Sequence, residues 1–140
     1  MSEQPNRFDV QPSVSNHFAW LRTQLALQNT LMAGVRTAVS LIGFGFTVAQ
    51  FFERIQGKAE GLRRVSVEAP RNLGLTLIAA GVGVIAVFLW QFRVGVAYMW
   101  EDQFKPIAGA GRRMHSVAYL AGWVVLLIGL AAFVTVFARF

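Results

Sequence analysis

Apolar residues occur in long runs separated by short polar segments, and the runs are too long for the core of a soluble domain. No charged residue lies between Arg71 and Arg93, or between His115 and Arg139. An uncharged apolar stretch of about 18 residues or more is long enough to cross the hydrocarbon core of a bilayer as a helix. The pattern therefore predicts two transmembrane helices, at residues 72–92 and 116–138.

A third apolar stretch lies nearer the N-terminus. Residues 17–55 contain no proline, and Arg36 is the one charged residue between Thr23 and Phe52. A helix over residues 23–52 would extend about 45 Å, more than the roughly 30 Å of the hydrocarbon core. We predict that residues 34–52 span the membrane. Residues 17–33 are expected at or just outside the interface, either continuous with the span or bent from it at Gly34.

The remaining segments are polar. Residues 1–15 are typical of a flexible polar tail, and residues 53–71 and 105–115 are predicted to be a polar loop and a short turn. The second span is expected to project beyond the bilayer, because a helical repeat continues past Arg93 through Val94, Ala97, Tyr98, Trp100 and Phe104. The predicted fold is one all-α membrane domain over residues 16–140, with three transmembrane helices and an N-terminal interfacial helix that extends the first span.

Composition agrees with a membrane protein. Hydrophobic residues make up 55% of the chain and charged residues 14%, whereas soluble domains carry about 25% charge. The net charge of +6 comes mostly from residues at the ends of the apolar runs, where anionic headgroups attract Lys and Arg. The expected partner is therefore the lipid bilayer and not nucleic acid. The chain has no cysteine, which excludes disulfides and thiolate chemistry.

An internal repeat carries the most information about function. The segment AWLRTQLAL at residues 19–27 recurs as AGVRTAVSL at residues 33–41, fourteen residues later. Fourteen residues are close to four helical turns, so one face carries Arg22, Asn29 and Arg36, and a line beside it carries Thr23, Thr30 and Thr37. An arginine at the bilayer centre costs about 2.5–3.5 kcal/mol on insertion scales.

Two interpretations of this polar line remain open. Arg36 could lie close enough to the interface for its side chain to reach the headgroups. Alternatively, Arg22 and Arg36 face other protein or water inside a helical assembly. Small residues that allow close helix approach support a tightly packed bundle, within one chain or between chains. These candidates for helix packing are Gly43, Gly45, Ala79, Gly83, Gly122 and Gly129. Because three helices cover little polar surface, a homo-oligomer is the simplest source of partners.

The chain offers little for catalysis. No Asp or Glu lies within a predicted span, and His17 and His115 lie at membrane edges, far apart in the sequence. No zinc-protease, nucleotide-binding or nucleophile-elbow motif is present. We expect no catalytic residue, no metal site and no cofactor, and therefore no enzyme. Apart from Arg36, which lies near the N-terminal end of its span and tips the balance only slightly, the basic residues are divided six to six between the two sides of the membrane, so charge does not set the orientation.

Residues 28–52, QNTLMAGVRTAVSLIGFGFTVAQFF, resemble the signature of the small three-span bacterial inner-membrane proteins in domain-of-unknown-function family 202. That signature reads roughly Glu-Arg-Thr-Leu-Met-Ala-Trp-x-Arg-Thr, followed by Ser-Leu-Ile-Gly-Phe-Gly-Phe. This chain departs from it at Gln28, Asn29 and Gly34, which replace Glu, Arg and Trp. Asn29 removes one positive charge from the polar line, and Gln28 removes a carboxylate that would have paired with it.

The resemblance implies a location in the bacterial inner membrane, with the N-terminus in the cytoplasm and the C-terminus outside. Distant relatives include the membrane domain of the vacuolar transporter chaperone complex, in which similar three-helix units surround a basic pore for polyphosphate. The leading hypothesis is a self-associating multi-pass protein with a structural or accessory role and an inward basic face. The alternative is an oligomeric channel for polyphosphate or another phosphate-containing anion, lined by Arg36 and Arg22 with Asn29 between them.

Overall fold

The computed structural model describes residues 10–56, 68–108 and 116–138, and within these ranges the regular structure is entirely helical. Three helices are long and apolar enough to cross a membrane. The predicted all-α membrane fold with three transmembrane helices is therefore confirmed. The helices are α1 (Val14–Gln56), α2 (Glu68–Met99), α3 (Lys105–Ala108) and α4 (Val117–Ala138), and a 3₁₀ turn, Asp102–Phe104, precedes α3.

Helix α1 is a single continuous helix of 43 residues, which corresponds to about 64 Å. It starts within the segment predicted to be a polar tail, because the Ser13 hydroxyl accepts a hydrogen bond from the Asn16 backbone N–H (3.1 Å) and so satisfies one of the unpaired donors at the helix start. Of the two arrangements predicted for residues 17–33, the structure has the continuous one. The remainder of the predicted tail, residues 1–9, lies outside the described residues.

Helices α1 and α2 pack antiparallel along most of their lengths. Their backbones touch where two glycines meet: a Cβ atom built on Gly45 would lie 2.8 Å from the Gly74 carbonyl oxygen, and one built on Gly74 would lie 2.9 Å from the Gly45 oxygen. Closely packed helices in membranes use small residues in this way. The largest fully buried side chains, those of Leu31, Ile78 and Ile85, lie in the core between the helices.

Helix α4 packs against both α1 and α2. Its contacts show which residues of the three helices lie at the same position along the axis of the bundle, and we call this position the height. A Cβ atom built on Gly122 would contact Leu31 and Leu89, and one built on Gly129 would contact Ile42 and Val82. Helix α4 therefore runs parallel to α1. Its 22 residues extend about 33 Å, close to the roughly 30 Å of the hydrocarbon core. On this scale the first residue of α4 is level with about residue 26 of α1 and residue 94 of α2.

Beyond that level, α1 and α2 extend together past the start of α4 and form a small unit with α3, which we call the cap (residues 14–23 and 98–108). Helix α2 continues past Arg93 as predicted but ends at Met99, so the prediction that the helical repeat reaches Phe104 is wrong. The predicted turn after it is wrong in part, because residues 105–108 form α3. The Trp20 indole N–H donates to the Met99 carbonyl (3.2 Å) and satisfies an acceptor that the end of α2 leaves free.

Candidate functional site: the polar face of helix α1

The six polar residues singled out by the repeat lie on one uncovered side of α1. The side chains of Arg22, Asn29 and Arg36 are all exposed, and so are those of the three neighbouring threonines, Thr23, Thr30 and Thr37. The opposite side of the helix contacts α2 and α4 through buried Leu31, Val35, Ala38, Ile42 and Ala49. The fold of one chain therefore leaves the polar line without a cover from any other described helix.

A third row completes this surface and was missed in the sequence analysis. It consists of small exposed residues at seven-residue intervals, namely Ala19, Ala26, Ala33, Ser40 and Thr47. Together with the arginine and threonine rows it forms a continuous surface, which we call the polar face. Between residues 19 and 43 none of its three rows contains a large apolar side chain. The signal in the sequence was the seven-residue spacing itself, which keeps equivalent residues on one side of two packed helices.

The hydroxyl groups of the polar face are satisfied as donors within α1. Thr23, Thr30 and Thr37 donate to the carbonyl oxygens four residues earlier, at 3.1, 2.9 and 3.1 Å. Ser40 and Thr47 do the same at 3.0 and 2.8 Å. A hydroxyl oxygen that donates its hydrogen still has lone pairs that can accept. The polar face therefore presents a row of hydroxyl oxygens that can accept hydrogen bonds, beside the guanidinium donors of Arg22 and Arg36.

Arg36 lies deep in the part of α1 that matches the length of α4. On the height scale set by Gly122 and Gly129, it lies about 10–15 Å inside the level at which α4 begins. The predicted span, residues 34–52, would have put this arginine near one end of the hydrophobic segment. Among the residues that the structure describes, none forms a salt bridge or a side-chain hydrogen bond with the Arg36 guanidinium. An exposed, unpaired guanidinium at this height is the most unusual feature of the surface.

Comparison with known proteins places this face within a recognised family. A family model described as Domain of unknown function (DUF202) matches residues 22–98, which is more than half of the chain. The chain belongs to the DUF202 family. The DUF202 segment begins at Arg22, includes Asn29 and Arg36, and ends near the end of α2, so it contains the polar face apart from Ala19, and the helix packed behind it. No curated protein and no solved structure was found to match the chain.

The small residues proposed for helix packing fall into two groups. Gly45, Gly122 and Gly129 are buried at contacts between helices, whereas Gly43, Ala79 and Gly83 are exposed on the outer surface. Nothing within 4 Å would meet a Cβ atom built on Gly43 or Gly83. Three further buried glycines at helix contacts, Gly34, Gly74 and Gly81, were missed, and so was the half-buried Gly95, which meets Leu27. Glycine content marks helices that can approach closely, but the sequence does not indicate which side of each helix is covered.

The described residues hold no cluster that resembles an enzyme site. No group of three or more His, Cys, Asp or Glu that could hold a metal ion occurs among them. The ring of His17 is occupied in the cap, where Nδ1 lies 2.6 Å from the Ile107 carbonyl oxygen, and His115 lies outside the described residues. The absence of catalysis stays a prediction. The features that distinguish the polar face are therefore its positive charge, its hydroxyl oxygens and the height of Arg36 along the bundle.

Proposed function

We propose that this multi-pass DUF202 protein self-associates in the bacterial inner membrane, with the polar face of α1 turned toward the interior of the assembly. Its role would be structural or accessory. The observation that carries the proposal is the exposure of Arg36 at a height where a single chain would leave it among acyl chains. Burial against other protein, or contact with enclosed water, removes the cost of about 2.5–3.5 kcal/mol or more for an arginine in that position.

The other outer surfaces of the chain support the same orientation. Helix α4 exposes large apolar side chains, among them Leu127 and Ile128 at 61% and 59% exposure, which suit contact with lipid. The polar face of α1 has the opposite character, with small residues, hydroxyl oxygens and arginines. We infer that α4 faces the lipid and α1 faces the neighbouring copies.

Symmetry adds a physical constraint. All copies of a membrane protein insert in the same direction, so a cyclic assembly brings equal residues to equal height. The Arg36 side chains of the copies would then form one ring and the Arg22 side chains a second ring, about 21 Å further along the helices. Like charges at one height repel strongly in a low dielectric. Such rings therefore need intervening water, polar partners or a bound anion.

That need favours the second candidate function, an oligomeric channel for polyphosphate or another phosphate-containing anion. No acidic residue lies in α1 before Glu53, so the polar face carries positive charge alone. Rings of arginine select anions in pores, and the guanidinium group binds phosphate through paired hydrogen bonds. Asn29 between the two arginines supplies an amide but no charge. Localisation to the inner membrane, with a cytoplasmic N-terminus and an external C-terminus, is part of the same proposal.

Self-association is tested by cross-linking in the native membrane. Because the chain has no cysteine, single-cysteine variants need no background changes. Ala33→Cys on the polar face is expected to yield disulfide-linked dimers on oxidation, whereas Leu127→Cys on α4 is the matched control and should remain monomeric. A monomer at both positions, or an equal yield of dimer at both, would contradict the proposed orientation.

The channel is tested separately with the purified protein in liposomes. If the assembly is a channel lined by the arginine rings, chloride or phosphate should cross the bilayer. Arg36→Glu should then abolish or reverse the anion selectivity. Arg93→Glu, which changes an exposed arginine on α2, is the control and should leave the selectivity unchanged. Unaltered anion flux in Arg36→Glu would eliminate the channel and leave the structural role. Reporter fusions at the C-terminus test the orientation.

A further inference from the structure

Two carboxamides in the membrane-spanning helices have no use in the fold of a single chain. Asn29 on α1 and Gln91 on α2 are both exposed, and none of the described residues forms a hydrogen bond with either side chain. Each carboxamide has two N–H donors and a carbonyl acceptor. Because an amide without hydrogen-bond partners is costly to place in hydrocarbon, both side chains need a partner from outside the chain.

The two carboxamides lie at almost the same height. On the scale set by α4, residue 94 of α2 is level with about residue 26 of α1. Because the two helices are antiparallel, Gln91 is then level with Asn29, about 5 Å inside the level at which α4 begins. A Cβ atom built on Gly95 would contact Leu27, which agrees with this assignment to within two residues.

Gln91 lies at the edge of α2 that borders the threonine row of α1. Thr23 and Tyr98 line the same cavity in the cap, so these two side chains lie near each other across the boundary between the helices. Thr30 follows Thr23 by seven residues, and Gln91 precedes Tyr98 by seven, which is close to two turns in each helix. Thr30 and Gln91 therefore repeat the same relationship deeper in the bundle. We call this boundary the seam (Thr23, Thr30 and Thr37 of α1 with Gln91 and Tyr98 of α2).

Asn29 lies on the other edge of the polar face. Leu27 is directed toward α2, where it contacts Gly95. Asn29 follows Leu27 by two residues, which is about 200° around the helix, so it lies on the side of α1 that is turned away from α2. Asn29 and Gln91 of one chain therefore cannot pair with each other. They belong to two different edges of the polar face, one with the arginines and one at the seam.

Charge favours contact between these two unlike edges. In a ring of copies, each contact joins one edge of a chain to the other edge of its neighbour, at equal height. Contact between two arginine edges would bring like charges together, whereas the seam contains no charged residue. With the arginine edge on the neighbouring seam, Arg22 and Arg36 come level with the hydroxyl oxygens of Thr23 and Thr37, which can still accept hydrogen bonds.

We propose that Asn29 of one copy forms a hydrogen-bonded carboxamide pair with Gln91 of the next copy. The arginine edge of each chain then lies against the seam of its neighbour, and the contacts close into a ring. This proposal rests on the self-association proposed above, and it adds a residue of α2 to the contact and an order to the two edges. Asn and Gln side chains that hydrogen-bond across helices stabilise association in membranes.

The test is disulfide cross-linking of the full-length double variant Asn29→Cys/Gln91→Cys in the native membrane. Because each chain would join two neighbours, oxidation should give dimers, trimers and larger cross-linked species. Asn29→Cys/Trp90→Cys is the matched control, since Trp90 is also exposed on α2 at nearly the same height but about 100° away around the helix. The control should give no species larger than a dimer.

A measurement without oxidation tests the pair itself. Energy transfer between donor-labelled and acceptor-labelled full-length protein, followed on dilution with detergent, reports the association of the copies. Asn29→Ala and Gln91→Ala should each weaken association about threefold. The double alanine variant should be no weaker than either single variant, because each substitution already breaks the pair. Losses that multiply in the double variant would overturn the pairing.

The cross-linking outcomes separate this pairing from self-association in general. If Ala33→Cys forms dimers but Asn29→Cys/Gln91→Cys forms no larger species, the pairing is wrong and self-association stands. If neither variant is cross-linked, both proposals fail. Dimers and nothing larger from the double variant would show a two-fold contact instead of a ring, and equal series from the double variant and its Trp90 control would show random collision. Either result overturns the pairing.

Discussion

The ring of Phe88 on α2 lies directly over Gly34 on α1, so that a Cβ atom at position 34 would overlap the ring. Gly34 is buried and Arg36, two residues later, is exposed. Contact with Phe88 therefore fixes the rotation of α1 about its own axis at the height of the exposed Arg36. The signature that this segment resembles has tryptophan at this position, whereas in this chain an aromatic ring from α2 lies over a glycine.

This relationship predicts coupling between the two positions. Gly34→Trp should destabilise the protein by about 1–3 kcal/mol, because it overpacks the contact with Phe88. Phe88→Ala should also destabilise it, by less than the roughly 3–5 kcal/mol typical of a fully buried phenylalanine, because Phe88 is half-buried. The double variant should be markedly more stable than the sum of the two effects, since the new ring occupies the vacated space. Unfolding titrations in mixed micelles measure all three; additive losses would contradict the direct contact.

The hydrogen bond from Trp20 to the end of α2 gives a second prediction. Trp20→Phe keeps an aromatic ring but removes the indole N–H, and it should reduce the stability of the cap by about 0.5–1.5 kcal/mol. Trp90→Phe is the matched control, because Trp90 is 67% exposed on α2. Hydrogen exchange at residues 96–108 is the measurement. Equal protection in the two variants would show that the bond does not hold the cap together.

The accessibility of position 36 to a water-soluble reagent distinguishes an assembly with a water-filled interior from one with a closely packed interior. If the polar face lines an aqueous channel, Arg36→Cys should react with a membrane-impermeant anionic thiol reagent in intact vesicles, and Leu127→Cys should not. In a closely packed interior without water, neither position should react. The reaction rate at position 36 therefore distinguishes the channel from the structural role, and reaction at position 127 alone would contradict both arrangements.

The ion pair in the cap makes a prediction about pH. The hydrogen bond from Lys105, together with its positive charge, lowers the pKa of Asp102 below its ordinary value of 3.8. A carboxyl group with a lowered pKa in the folded state stabilises the fold above its ordinary pKa, and the contribution is lost as pH falls through the lowered pKa. The effect is small for this exposed pair. In Lys105→Gln, the pKa of Asp102 should move back toward 3.8, as measured by carbon-detected NMR titration. An unchanged pKa would contradict the conclusion that Lys105 causes the shift.

Much of the fold follows from local pattern in the chain. Long uncharged runs leave a helix as the structure that satisfies every backbone hydrogen bond in lipid, so the number and approximate position of the spans could be predicted. The composition of the polar face could be predicted in large part as well, since helical spacing places Arg22, Asn29 and Arg36 on one side whatever packs against the other. The family followed from the residues of the same segment.

The tertiary structure decided the remaining features. Periodicity relates residues of one helix to each other but carries no information about which side a distant helix covers, so the packing roles of Gly34, Gly74 and Gly81 were missed. The carbonyl at the end of α2, that of Met99, accepts a hydrogen bond from Trp20, 79 residues earlier, and no local signal marks that partner. The height of Arg36 likewise required α4 as a scale, because depth in a bundle is a relation between helices and not a property of one.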